Sequence, residues 1–189
     1  MKTKNVEIIE KLNTTAREWV LHRNIREWNM LQLAAECGLT KRTLYKMIES
    51  KEKLIEDVIL ETIRAVQEDI NLILTSGDNY RETLEEAAYK FPELLNILAS
   101  SKIGEIYREY PGIEKAVIEK RNELVTGLCS YMQRGIEHSN IRPECEPESI
   151  VEYLQAITLY YLKQDLSIEI RRKKISASLN ILFKGILND

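Results

Sequence analysis

The chain is poor in the residues that build metal and disulfide sites. It has only two histidines, His22 and His138, and they lie far apart, in neither metal-ligand nor catalytic-triad spacing. Its three cysteines are widely spaced and odd in number, which favours free thiols over a disulfide framework. The seven glycines form no phosphate-binding loop. These shortages disfavour the common enzyme and metalloprotein classes, and we expect no enzyme activity, no cofactor and no metal.

Long apolar runs are also missing. No apolar run approaches the length of a membrane-spanning helix, which needs about 18 residues, and the N-terminus lacks the apolar core of a signal peptide. We therefore expect a cytoplasmic protein that makes no membrane contact. The sequence has no strand alternation and no internal repeat. Instead, every long segment has the 3.6-residue apolar period of a helix, which predicts an all-α protein of about nine helices.

One stretch, residues 29–51, has the pattern of a helix-turn-helix. Four apolar residues at helical spacing predict the inner face of a first helix: Met30, Leu33, Ala34 and Cys37. Asn29 and Gln32 are placed to form a capping box at its start. Gly38 supplies the positive φ that ends this helix, and Thr40 is placed to cap a second one. In that second helix Leu44 points inward and most other side chains are polar.

Basic side chains outnumber acidic ones in the part of the chain that contains this stretch. Residues 1–54 contain 11 basic and 7 acidic side chains, whereas residues 55–189 contain 16 basic and 23 acidic ones. A basic module within an otherwise acidic chain, of net charge −3, is expected if that module binds DNA. From the residues alone two further interpretations stay open: a helical protein-interaction module without DNA binding, and an enzyme with an unrecognised helical active site.

The stretch resembles the DNA-binding signature of the TetR family of bacterial transcriptional regulators. The positions in register with that signature are Leu33, Ala34, Gly38, Lys41, Thr43, Leu44, Tyr45, Ser50, Lys51, Glu52 and Leu54. The departures from it are Asn29, Cys37, Met47 and Ile48. The resemblance implies a three-helix DNA-binding domain over residues 1–50. A larger helical domain for ligand binding and dimerisation would follow over residues 51–189.

The resemblance also implies which side chains contact DNA: Asn29, Thr40, Lys41, Arg42, Thr43, Tyr45, Lys46 and Lys51. We expect Arg42 to contact a base, because a planar guanidinium can bind guanine through two hydrogen bonds. We expect Tyr45 and Lys51 to contact phosphates. Lys51 lies in the first turn of the fourth helix, where a cation opposes the helix dipole, so its presence favours a nearby phosphate; a solvated lysine is the alternative.

In proteins similar to this one, helices 4 to 7 enclose a small-molecule pocket, and helices 8 and 9 form the interface of a homodimer. The predicted pocket residues are Phe91, Leu95, Leu98, Ile103, Tyr107, Tyr110, Leu124, Leu128 and Tyr131. Helices 8 and 9 carry more apolar residues than one packed face needs, which favours a two-fold interface. The predicted interface residues are Ile150, Leu154, Ile157, Tyr161, Leu179, Leu182, Phe183 and Ile186. Pro92 is predicted to begin a sixth helix that runs to about Tyr110.

Together these observations predict a homodimeric repressor that binds a palindromic double-stranded DNA operator. By the resemblance, a small-molecule effector, whose identity the sequence does not specify, would release it from that operator.

Overall fold

The structure, a computed structural model, describes residues 2–98 and 101–188, and side chains for residues 7–90, 92, 103–167 and 169–188. These residues contain nine helices, separated by short connections. The helices are α1 (Lys2–His22), α2 (Met30–Glu36), α3 (Lys41–Met47), α4 (Lys51–Ser76), α5 (Tyr80–Leu98), α6 (Ser101–Glu109), α7 (Pro111–Glu137), α8 (Pro147–Leu162) and α9 (Ile168–Ile186). Within the described ranges, extended pairing is limited to one isolated bridge between Ile141 and Leu187. The all-α prediction is confirmed.

The chain divides into two compact units. Unit 1 consists of Met1–Ile63 and Ser100–Ile118, and unit 2 of Arg64–Ala99 and Glu119–Asp189. The division therefore falls inside α4 and α7. The predicted boundary at residue 50 separates a DNA-binding domain from a ligand-binding and dimerisation domain. That assignment of functions stays a prediction. Among the described residues, no helix is both long and apolar enough to span a bilayer.

Unit 1 is built around the helix-turn-helix. Helix α2 packs against both α1 and α3. Trp19 of α1 and Trp28, which precedes α2, pack edge to face with their ring centroids 5.7 Å apart. The side chains of Leu33, Leu44 and Ile55 are fully buried. Because these residues come from α2, α3 and α4, burial of their apolar area holds the two short helices on a common core.

Unit 2 is a helical layer in which α5, α8 and α9 pack on one another. Phe183 of α9 is among its most deeply buried side chains. Tyr80 stacks on Tyr131 with ring centroids 4.9 Å apart. A side chain at Gly135 would overlap the Tyr80 ring. Glycine at this position therefore allows the tyrosine to lie directly against α7.

Pro92 lies inside α5 rather than at the start of a sixth helix. The prediction for this proline was therefore wrong, and α6 begins later, at Ser101. A proline within a helix removes one backbone donor and disfavours the helical conformation locally. Because α5 packs against α8 and α9, tertiary contacts offset this local cost. A sequence reading based on local preference does not include that contribution.

Candidate nucleic-acid interface

Helix α2 is fixed at its first turn by the predicted capping box. The Asn29 side-chain oxygen accepts hydrogen bonds from the main-chain N–H groups of Leu31 and Gln32, both at 3.0 Å. In return the Asn29 N–H donates to the Gln32 side-chain oxygen at 2.8 Å. The start of α2 is thus set by two residues of its own sequence. The predicted inner face is also confirmed, since Met30, Leu33, Ala34 and Cys37 are all buried.

The turn into α3 also follows the predicted pattern. Gly38 has φ of +69°. Residues that carry a Cβ atom disfavour this backbone conformation, whereas glycine adopts it readily. The Thr40 hydroxyl accepts a hydrogen bond from the Thr43 N–H at 3.1 Å and caps α3. The hydroxyl groups of the two threonines lie 2.9 Å apart and share a further hydrogen bond. These contacts give α3 a defined start and direction.

Helix α3 is held by a single buried residue and is otherwise open to solvent. Leu44 is completely buried, and it is the one buried residue of the helix. Lys41, Arg42 and Lys46 are exposed, and 43% of Tyr45 is accessible. The Lys41 ammonium lies 5.8 Å from the centroid of the Tyr45 ring. Within the described part of the chain, Arg42 and Lys46 form no ion pair, so both cations are available to a polyanion.

Sequence comparison finds no match, whereas structural comparison finds proteins with the same fold. No family model and no curated protein matches the sequence significantly. A TetR-family transcriptional regulator from Streptomyces coelicolor matches the structure with a TM-score of 0.76, at 13% identity and over 96% of each chain. A transcriptional regulator of the same family from Cytophaga hutchinsonii matches with a TM-score of 0.73 and 17% identity, over 99% of this chain and 96% of its own. The chain has the TetR-family fold.

A third solved structure that matches is the fatty acid degradation regulator FadR from Bacillus halodurans. Its TM-score is 0.72 at 12% identity, and the match covers 94% of this chain and 95% of FadR. Identities this low establish the common fold.

Lys51 is the one predicted DNA contact that the structure turns inward. Its ammonium group donates to the main-chain oxygens of Ile25 at 2.6 Å and Trp28 at 2.7 Å. It also lies 4.1 Å from the centroid of the Trp28 ring. Burial lowers the pKa of this half-buried ammonium, although the nearby Glu109 opposes the shift. The expectation that this side chain faces outward is therefore corrected, because two protons of the ammonium already bind main-chain oxygens. Its contact with phosphate stays a prediction.

The residues predicted to line a ligand pocket fall into three groups. The side chains of Phe91, Leu95 and Leu98 lie outside the described residues. In unit 1, Ile103 is buried, whereas Tyr107 and Tyr110 are half-buried. In unit 2, the side chains of Leu124, Leu128 and Tyr131 are buried. The pocket stays a prediction, since burial of this kind is equally expected of core residues.

The predicted dimer interface requires a correction. Five of its eight residues are buried within the chain itself, with exposures of 1–8%: Ile150, Leu154, Leu179, Phe183 and Ile186. A second copy cannot reach them, because their surface is already used in the unit 2 core. The other three, Ile157, Tyr161 and Leu182, are half-buried. Helical periodicity identified α8 and α9 as unusually apolar but did not separate the side of each helix that is buried in unit 2 from the side left exposed; the dimer itself stays a prediction.

The exposed apolar surface of the same two helices lies elsewhere on them. On α8, Tyr153 and Tyr160 are 61% and 60% exposed, and they are seven residues apart. On α9, Ile181 is 74% exposed and Ala177, four residues earlier, is also exposed. We call these four residues the α8/α9 outer face. The sequence signal for this face is the seven-residue spacing of Tyr153 and Tyr160, which places both side chains on the same side of α8, two helical turns apart.

Proposed function

We propose that this protein is a sequence-specific DNA-binding transcriptional regulator. The observation that carries the proposal is the exposed α3 helix, which is anchored by Leu44 and displays Lys41, Arg42 and Lys46 to solvent. The TetR-family fold supports it, because the solved structures with this fold include transcriptional regulators. A short capped helix with such a face has the size and charge to enter a DNA major groove.

The side chains of α3 divide between base and backbone contacts. We assign Arg42 to a base edge, because its guanidinium can bind guanine through two parallel hydrogen bonds. Lys41, Tyr45 and Lys46 are assigned to phosphates, where charge and hydroxyl donors position the helix without reading sequence. Thr40 and Thr43, whose hydroxyls already cap α3, would add donors at the same end. Asn29, at the start of α2, would contact the backbone beside the groove.

The protein would act as a homodimer. One seven-residue helix reads few bases, whereas two copies about one helical turn of DNA apart read a palindrome and combine their binding energies. We assign the dimer contact to the α8/α9 outer face, because Tyr153, Tyr160 and Ile181 are the most exposed large apolar side chains of these helices. The bound dimer would repress transcription. A small-molecule effector would release it from DNA by shifting the spacing of the two α3 helices.

Salt-dependent DNA binding tests the central part of this proposal. The association constant for a mixed-sequence 30-base-pair duplex, measured by fluorescence anisotropy, should fall steeply with salt concentration because bound phosphates release counterions. Lys46→Ala removes one phosphate contact per protomer. In a dimer it should therefore reduce the slope of log K against log salt by up to about 1.8.

Lys53→Ala is the matched control for Lys46→Ala. Lys53 is an exposed lysine that pairs with Glu56 at 2.8 Å and Asp57 at 3.0 Å on its own helix. Its loss should leave the slope unchanged. DNA binding that ignores salt, or that responds equally to both substitutions, would contradict the proposal and favour a helical protein-interaction module.

The effector hypothesis has a separate test. Compounds that raise the melting temperature of the protein identify ligands, because a ligand that binds only the folded state stabilises it. A ligand found in this way should also weaken DNA binding. If no stabilising ligand changed DNA affinity, the release step would be wrong while the DNA-binding proposal could still stand.

A further inference from the structure

Lys51 links two segments that are distant in sequence. Its backbone begins α4, and its ammonium group reaches the connection between α1 and α2, where it donates to Ile25 and Trp28. Both of these residues are 3% exposed, so this part of the connection is packed against the core. The ammonium is thus the donor for two main-chain oxygens of a packed segment, which otherwise lose solvation without compensation.

The same ammonium also contacts an aromatic cluster. It lies over the Trp28 ring, Trp28 packs edge to face against Trp19, and the Arg23 guanidinium lies 4.2 Å from the Trp19 ring centroid. A cation over a tryptophan face is attracted by the ring quadrupole, and more strongly when it is partly desolvated. We call Trp19, Arg23, Trp28 and Lys51 the tryptophan cluster. It fixes the side chain of Lys51 from a second direction.

The position of Trp28 connects this cluster to the helix-turn-helix. Trp28 immediately precedes Asn29, the residue that caps α2. Helix α2 in turn packs against α3. A shift of Trp28 would therefore displace the start of α2, and with it the direction in which α3 presents its cations. Only helix α2 and one turn lie between Trp28, which accepts a hydrogen bond from Lys51, and helix α3.

We propose that Lys51 is a positioning residue for DNA binding, which orients the helix-turn-helix by holding Ile25 and Trp28 and makes no phosphate contact itself. The proposal rests on the proposed function, since it concerns the same interface. A phosphate ligand is expected to direct its charge to solvent, as the exposed Lys46 of α3 does. Lys51 instead uses two of its three donors inside unit 1.

Two substitutions separate positioning from phosphate contact. Lys51→Met keeps most of the stem and removes both the charge and the donors, whereas Lys51→Gln restores a donor without a charge. If Lys51 positions the helices, Lys51→Met weakens binding to the mixed-sequence duplex about tenfold or more, Lys51→Gln recovers part of that loss, and neither changes the salt slope. If Lys51 contacts phosphate, both variants lose affinity equally, and both reduce the slope by up to about 1.8 for a dimer. That second result would overturn the proposal.

Tryptophan fluorescence provides a readout that does not depend on DNA. The chain has two tryptophans, and both belong to the tryptophan cluster. Lys51→Met should therefore shift the emission of the folded protein, and Lys51→Gln should shift it less. Lys53→Met is the control, since it removes a lysine from the same helical turn and should change neither emission nor affinity. Unchanged emission in Lys51→Met, with a normal circular dichroism spectrum, would overturn the proposed positioning role.

The outcomes also distinguish this proposal from the proposed function. If the wild-type protein binds the duplex and Lys51→Met lowers the salt slope, DNA binding stands and the positioning role is wrong. If Lys51→Met changes thermal stability and emission but not affinity, the residue is structural only, and the positioning role is again wrong. If the wild-type protein shows no salt-dependent binding, both proposals fail.

Discussion

Replacing Ile181 by glutamate should separate the protomers without unfolding them. Ile181 is 74% exposed in the single chain. Complete burial of an isoleucine contributes about 1.5–3 kcal/mol, so packing its remaining surface against a second copy contributes about 1–2 kcal/mol. A two-fold interface counts each residue twice, which doubles the effect to about 2–4 kcal/mol. The dimer dissociation constant should rise roughly 30- to 700-fold, and more once the cost of burying a carboxylate is added.

Sedimentation velocity over a range of protein concentrations measures this constant, while far-UV circular dichroism checks that the variant is folded. Leu72→Glu is the matched control, because Leu72 is 66% exposed on a different helix, α4. It should leave the dimer intact. Phe183→Ala provides the opposite contrast: Phe183 is 1% exposed, so its truncation should cost about 3–5 kcal/mol of protomer stability. An Ile181→Glu protein that dimerises as the wild type does would refute the assignment of the α8/α9 outer face.

Three substitutions test local structure by chemical denaturation, two in the helix-turn-helix and one in unit 2. Thr40→Ala should destabilise the protein by about 1 kcal/mol, since it removes the acceptor that caps α3; an equal loss in Thr40→Ser, which keeps a hydroxyl acceptor, would contradict this reason. Gly38→Ala should cost about 1–2 kcal/mol because the residue has φ of +69°, and a neutral result would mean that the turn adopts another conformation. Gly135→Ala should cost about 1–3 kcal/mol by forcing its new methyl group against the Tyr80 ring; an unchanged midpoint would show that this ring can move aside.

The helix-turn-helix was predictable from sequence because its signals are local. Asn29 and Gln32 bond to each other across one helical turn, Thr40 bonds three residues ahead, and Gly38 adopts a conformation set by its own backbone. Each of these interactions is contained within four residues. The pattern of residue types therefore specifies both the helix starts and the turn between them, and the structure follows it residue by residue.

The features that the sequence did not predict depend on contacts between distant residues. Ile150 and Ile181 are the same residue type, yet Ile150 is buried and Ile181 is exposed, and helical periodicity alone does not decide which of them faces the core. Lys51 looked like a surface cation, since its partners Ile25 and Trp28 are more than 20 residues away and accept through main-chain oxygens. Main-chain acceptors leave no trace in residue type, so no sequence pattern marks them.

Selection of bound sequences from a random duplex library, with the purified protein, is the most direct test of the central claim that α3 reads DNA. The wild-type protein should enrich a palindrome with half-sites about one helical turn apart. Arg42→Ala should enrich the same palindrome with preference relaxed at one position in each half-site, at a cost of about 1–3 kcal/mol per contact. If the wild type enriches no sequence, or if Arg42→Ala enriches an identical motif with undiminished preference at every position, the assignment of α3 as the DNA-reading helix is contradicted.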